Sequence, residues 1–236
     1  MSADAVDLLL ETAHAVFGRE TGNGWTEVER AGLLELPEVA GLSEIAAVVR
    51  VSAYHATDLD FAERVLLEPL RAAGAGPDAL RLRGALMRSV QMVGAMERIL
   101  ELTVAYASER HQFGQPLNRF QAIQQQLATL AAEVAIAAAA LDAALADSTP
   151  RRIGMAKIAA GRSAGVVAAI AHQVHGAIGF TQEHQLHRFT TRLWRWRDEY
   201  GTEVAWSEIL GREIAAAGPD ATWAGLTSAS MSGAVG

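Results

Sequence analysis

The sequence contains no cysteine, which excludes disulfides, thiolate metal sites and a cysteine nucleophile. Aromatic residues are scarce, 6% of 236, whereas half of all residues are hydrophobic and alanine is abundant. Alanine with scattered Leu, Val and Ile favours closely packed helices. No stretch shows a convincing run of alternating strands. An excess of positive charge is also missing. The net charge of −7 argues against broad nucleic-acid affinity. The start, MSADAVDLLLETAHAVFGRE, lacks the basic segment of a signal peptide. Apolar runs such as 134–141 are too short to span a bilayer. These absences read as a cytoplasmic protein without a membrane span, long enough for a real core.

What is present is helical periodicity. Residues 5–17 place Val6, Leu9, Leu10, Ala13 and Phe17 on one face. Residues 26–73 hold two or three short helices cut by Pro37 and Gly41, with Ser43 and Thr57 as candidate N-caps. After the GAGP linker (74–77) the character changes. A long helix covers 78–108, with Leu86, Val90, Val93, Glu97, Leu100 and Val104 along one stripe. FGQP (113–116) ends it. A second helix runs from Leu117 to Ala146, with Ile123, Leu127, Leu130, Val134, Ala138 and Leu141 inward. Thr149 caps a third that starts at Pro150 and ends near His175, where GAIGF breaks it. Two more helices cover about 183–195 and 202–217. The fold class expected is all-α: a small N-terminal helical region (1–74), a C-terminal helix bundle (75–218) and a flexible tail (219–236).

Three features carry candidate chemistry, and each also has an ordinary structural role. In ERHQFGQP (109–116), Arg110 near a turn offers a fixed fork of donors suited to phosphate, and Gln112 and the amides around Gly114 add neutral donors. The same residues suit a helix C-cap. Gln173, Gly176 and Gly179 mark a helix end where an extended anionic or adenine-bearing cofactor can approach the backbone, or where the chain simply bends. His172/His175 and His184/His187 have helical spacing but no third ligand at a telling distance, so no metal site is expected. Trp194, Trp196 and Trp206 read as packing or interface anchors.

Taken together, ERHQFGQPLNRFQAIQQQLA (109–128) and AHQVHGAIGFTQEHQLHRF (171–189), followed by the Gly201-Thr202-Glu203 segment, resemble the C-terminal domain of the acyl-CoA dehydrogenases. The likeness runs from about 78 to 217, and more weakly through the first 70 residues. It implies FAD and the α,β-desaturation of an acyl-CoA, in which a carboxylate takes the α proton and flavin N5 takes the β hydride. It implies that the C-terminal domain of one subunit reaches the FAD of its neighbour. Carried over by position, Arg110, Gln112, Phe113, Gln173 and Gly176 contact the cofactor, Gly179 shapes the turn, and Thr202 lies beside the base.

Two departures stand out. No strand pattern supplies the family's middle β-barrel domain, and only the GAGP linker stands in its place. Counted from GAIGF, the usual catalytic glutamate falls on Tyr200, and the alternative position early in the first long helix falls on Gly84. A phenol with a reference pKa of about 10 is a poor base at neutral pH. Glu199 is one residue away, but one helical step turns a side chain by about 100°. The resemblance therefore implies a non-catalytic, FAD-binding and structural subunit. FAD is shared at the interface with a larger partner subunit, in an α2β2 complex of the kind that in actinobacteria acts on steroid side-chain CoA thioesters. The other readings are a self-sufficient enzyme using Glu199 or Glu203 as base, and a helical assembly protein that has lost flavin.

Overall fold

The computed structural model describes residues 1–19, 24–181 and 184–227. The N-terminal region contributes α1 (Ala3–Phe17), α2 (Gly24–Arg30), α3 (Leu36–Val39), α4 (Leu42–Tyr54) and α5 (Glu68–Ala72). Five long elements follow: α6 (Pro77–Glu109), α7 (Gln121–Ala146), α8 (Pro150–His175), α9 (Leu186–Asp198) and α10 (Glu203–Thr227). Among the described residues the only strands are two-residue pieces, β1 (His111–Gln112) and β2 (Gln115–Pro116), paired antiparallel around Phe113 and Gly114. The fold is all-α, as the sequence implies, with no β-barrel among the described residues.

The terminal signals of the long helices act as read. Pro77 opens α6, and Asp78 lies in its first turn, where the helix dipole favours an anion. Thr149 Oγ1 accepts from Arg152 N at 3.4 Å ahead of Pro150. α6 is the central helix. Every residue from Gly84 to Met96 is buried, so this stretch has no solvent face. Helices α4, α7, α8 and α9 pack around it. One apolar core runs from Ala13 to Trp206 and joins the N-terminal helices to the bundle across the Gly74–Gly76 linker. A smaller cluster, Ala107, Leu117 and Val174, sits under the far end of α6 with Tyr106, Phe120, Ile123, Leu127 and Ile170 against it.

Several expectations need correction. Val104 is exposed although it shares a face with Leu86, because near the C-terminal end of α6 the buried positions are Ile99, Thr103 and Ala107, on another face of the helix. Gly41, not Ser43, occupies the N-cap of α4. Thr57 bonds locally to Leu59 N, and Asp60 Oδ1 accepts from Glu63 N to start the next helical segment. A five-residue π-helical stretch, Glu63–Leu67, leads directly into α5. The helix that starts at Glu203 breaks at Gly218 (φ 77°, ψ 171°), beside its expected end at 217, but after Pro219 a second helical segment runs to Thr227, inside the stretch expected to be a flexible tail. Residues 228–236 lie outside the described residues. The apolar helices are also longer than the run 134–141 suggests. Gln121–Ala146 and Pro150–Gly179 are long and apolar enough, by length and composition, to cross a membrane; here they pack on each other and on α6.

Candidate functional site

The residues singled out by sequence fall into two groups at opposite ends of α6. Gly84 and Arg110 are 26 positions apart along one helix, about 40 Å at a rise of 1.5 Å per residue.

The first group gathers where α6 and α8 both end. The hairpin after α6 is closed by Leu117 N donating to Arg110 O at 2.8 Å, while Arg110 N donates to Tyr106 O at 2.9 Å. Both backbone groups of Arg110 are thus fixed, and its exposed guanidinium makes no ion pair among the described residues. Phe113, at φ 52° and 92% exposed, forms the tip with Gly114 at φ 82°. Gln112 is exposed on β1. Across from them α8 ends at Gly176, whose φ of 64° is left-handed and whose missing Cβ would meet open space. Gln173 is exposed one turn earlier. Gly179 is buried instead; a Cβ there would lie 2.9 Å from His175 Cβ and 3.2 Å from Leu186 Cδ2, so it shapes the turn by close packing. Free guanidinium, exposed amides, an exposed aromatic and an open glycine backbone fit an extended, anionic, adenine-bearing cofactor such as FAD laid across this end of the bundle.

Thr202 does not join that group. Its Oγ1 accepts from Ala205 N at 3.3 Å as the cap of α10, beside the second group. There, Tyr200 sits in the left-handed region at φ 58° and turns its ring onto Gly84. A Cβ at Gly84 would fall well inside van der Waals distance of Tyr200 Cγ, Cδ1 and Cε1. The two positions where the resemblance puts a catalytic carboxylate therefore face each other, and the phenol fills the space between them. Its hydroxyl accepts from Arg71 Nη2 at 2.9 Å and lies 3.4 Å from Glu63 Oε2. Burial, then the Glu63 carboxylate, raise the phenol's pKa above its ordinary value, so Tyr200 stays protonated.

An ion network that sequence reasoning missed surrounds the ring. Arg88 is 2% exposed. It reaches Asp60 Oδ1 at 3.1 Å, Glu63 Oε2 at 3.7 Å and the Gln91 side chain at 2.6 Å. Its Nε lies 2.6 Å from Glu199 Oε2, an ion pair rather than an aligned hydrogen bond. The guanidinium also stands 5.7 Å from the centre of the Tyr200 ring. Arg71 pairs with Glu63, and Arg195 with Glu199 at 2.7 Å. Glu203 pairs with Arg197 and packs where a Cβ on Gly161 would stand. The carboxylate partners of Arg88 come from two other segments, so no spacing rule reveals them, whereas Arg195–Glu199 has the ordinary i, i+4 spacing. The one sequence signal is Arg88 itself, a charge inside the apolar stretch ALMRSVQMVGAM.

Lys157, the only lysine in the sequence, is buried and donates to Arg197 O at 2.7 Å, closing the last turn of α9 before the Tyr200 loop. Burial pulls its pKa down to about 8 against the raising effect of Glu203 and Asp198. The histidines are used locally: His172 Nε2 lies 3.2 Å from Thr190 Oγ1, His175 Nδ1 donates to Ala171 O at 2.8 Å, and His184 Nδ1 accepts from Leu186 N at 3.2 Å. Among the described residues no cluster of three or more His, Asp or Glu side chains is arranged to hold a metal.

Comparison with known proteins gives the family. The family model for the acyl-CoA dehydrogenase C-terminal domain matches residues 82–214. The chain is 38% identical over 108 residues to the acyl-CoA dehydrogenase IpdE2 of Mycobacterium tuberculosis, an alignment covering 46% of this chain and 34% of that protein. The counterpart from Mycolicibacterium smegmatis is 35% identical over 108 residues, covering 46% and 35%. The chain thus spans about a third of the length of these curated relatives. Among solved structures, a glutaryl-coenzyme A dehydrogenase in complex with glutaryl-CoA matches with a TM-score of 0.54 at 27% identity, over 56% of this chain and 35% of the other. A chain of the ChsE4-ChsE5 complex from Mycobacterium tuberculosis matches over nearly its whole length: TM-score 0.81, 93% of this chain and 99% of the other, at 16% identity, a likeness of fold. With a family model matched over more than half its length and both motifs at the helix ends where they were expected, the chain belongs to the acyl-CoA dehydrogenase family.

Proposed function

We propose that this chain is the non-catalytic, FAD-holding and structural subunit of a heteromeric acyl-CoA dehydrogenase. A larger partner subunit would supply the middle β domain, the catalytic carboxylate and most of the substrate pocket. The observation that carries this reading is the Tyr200 ring packed on Gly84. A neutral phenol occupies one base position, a glycine the other, and the ring leaves no room between them. The nearby carboxylates are engaged as well: Glu199 by Arg88 and Arg195, Glu203 by Arg197, so neither is free to take a proton from a substrate carbon. That speaks against a self-sufficient enzyme built on Glu199 or Glu203.

FAD, when bound, supplies the hydride acceptor. In this chain, Arg110 would bind the pyrophosphate, Gln112 and Gln173 would offer amide contacts, Phe113 would cover the adenine end, and Gly176 would let the backbone come close, with Gly179 fixing the turn. The separation of about 40 Å between Arg110 and the Tyr200 pocket means that a flavin held by the hairpin serves a reaction centre other than this chain's own filled one. Thr202, beside Tyr200, would contact a flavin only at that other end. The interface-shared cofactor follows, and an α2β2 assembly is its simplest closed form. The full-length likeness to a chain of a two-component complex supports a partner subunit, and the likeness to IpdE2 supports an acyl-CoA substrate; the steroid side-chain CoA thioester implied by the family resemblance is the substrate class to try first.

The test is co-expression with a full-length dehydrogenase partner, purification by a tag on this chain, and a visible spectrum. A mixed complex with a flavin band that Arg110→Ala diminishes supports the reading. Desaturation of an acyl-CoA by this chain alone defeats it. A stable complex whose flavin content ignores Arg110→Ala leaves the chain a scaffold.

A further inference from the structure

The two halves of the flavin-contacting set sit on different helices, 63 positions apart from Arg110 to Gln173, and something must fix their relative position. The described residues place a direct link between them. The Tyr106 and His175 rings stack at 4.5 Å between centroids, with 24° between their planes. The Tyr106 hydroxyl donates to the His175 carbonyl at 3.3 Å, so the pair meets twice, ring to ring and hydroxyl to backbone. Each residue is also tied to its own half. Tyr106 O accepts from Arg110 N, one helical turn on, and His175 immediately precedes Gly176. His175 is 3% exposed, and its Nδ1–H to Ala171 O fixes the ring's tautomer and orientation. His184 closes over the pair edge-on, 4.7 Å from His175 and 6.4 Å from Tyr106. Beneath lies the small cluster of Ala107, Leu117 and Val174, separate from the main core.

We propose that Tyr106 and His175 are positioning residues: a clasp between the last turns of α6 and α8 that makes the Arg110 hairpin and the Gln173–Gly176 end one preformed binding surface. Neither ring need touch the cofactor. An extended dianionic ligand gripped from both sides gains from this because its two grips are ordered before it arrives, so less entropy is lost on binding. The proposal rests on the flavin-holding reading above, and the experiment separates the two.

The complex with the partner subunit is made with Tyr106→Leu, Tyr106→Phe and Arg110→Ala, and FAD release and amide hydrogen exchange are followed. Tyr106→Leu removes both ring and hydroxyl. It is expected to raise the FAD dissociation constant tenfold or more and to speed exchange in 110–117 and 173–180 together, although only one side is altered. Tyr106→Phe keeps the stack and is expected to stay within about threefold of wild type, which a side chain that merely filled the small core would not require of an aromatic ring. Unchanged FAD affinity in Tyr106→Leu, beside a loss in Arg110→Ala, overturns the clasp and leaves the flavin reading standing. Exchange that speeds up only in 110–117 also overturns it. If neither variant loses FAD, the flavin-holding role fails and the clasp with it. Should Tyr106→Leu not assemble, His175→Gln, which keeps a planar polar group but loses the stack, carries the same expectations.

Discussion

The ring of Tyr200 occupies the space that any side chain at Gly84 would need. Each residue is the other's complement. The glycine is the only residue that admits the ring, and the ring fills the groove that the glycine leaves. Tyr200 is held there from several sides: by the left-handed backbone, by Trp206 Nε1 donating to its carbonyl at 3.1 Å, and by Arg71 on its hydroxyl.

Gly84→Ala should therefore destabilise the fold by about 1–3 kcal/mol through overpacking, although alanine is the better helix former. Adding Tyr200→Ala should recover part of that loss, with a coupling of at least about 0.5 kcal/mol in a double-mutant cycle. Urea unfolding of the four proteins measures it. Strict additivity would mean that the two residues do not meet.

Arg88 is the buried hub for Asp60, Glu63 and Glu199. Arg88→Met keeps the stem and removes the charge, leaving three carboxylates without their central cation, at a cost of about 3–5 kcal/mol. Arg88→Lys should rescue it poorly, because a point ammonium cannot match a planar fork that serves three partners. Chemical denaturation of both variants decides, and a loss below about 1 kcal/mol for Arg88→Met would show the hub to be unimportant.

Below neutral pH the histidine end of the bundle should loosen. Burial, the largest cause, holds His172, His175 and His184 below the ordinary value of 6.5. The unfolded chain therefore takes up protons first as pH falls. Stability is fully present above about 6.5 and is lost as pH drops through the folded-state values. His175→Gln should flatten the fall in melting temperature between pH 7 and pH 5. An unchanged slope would assign the titration elsewhere, His55 being the next candidate, since burial depresses its pKa too.

Lys157 works in the opposite range. Its pKa falls from 10.5 in the unfolded chain to about 8 when folded. Between those values the unfolded state binds more protons, so stability rises with pH across the window; below about 8 both states are charged and the native state bears the full burial cost, at most about 3 kcal/mol. Lys157→Met also loses the bond to Arg197 O, but that loss does not depend on pH. Wild type should thus gain on Lys157→Met as pH rises from 7.5 to 9.5 in paired melting curves. A constant difference would mean that the amine is solvated.

Local patterns made the helices legible, and with them the place of the first group of candidate residues. Pro77, Thr149 with Pro150, FGQP and GAIGF punctuate the chain within a few residues of the real helix ends, because caps and breakers act through the nearest backbone groups. The candidates Arg110, Gln112, Gln173 and Gly176 could be singled out because they lie at those ends. Ser43, Val104 and the helix beyond Gly218 were misread, because a cap competes with its neighbours for the same amides and a stripe is defined only by what packs on it.

By itself, the sequence determined the all-α class, the order of the long helices, the family motifs and the absence of a carboxylate at positions 84 and 200, all of them set by local chemistry or by residue identity. Only the tertiary structure decided that Tyr200 and Gly84 face each other, that Arg88 gathers carboxylates from two other segments, and that Tyr106 meets His175. Each of these pairs lies tens of residues or more apart along the chain, except that Glu199 and Tyr200 are neighbours whose side chains serve different partners. Their meeting depends on how α6 is enclosed by α4, α8 and α9, a matter of packed side-chain volumes and helix crossings that no single segment encodes.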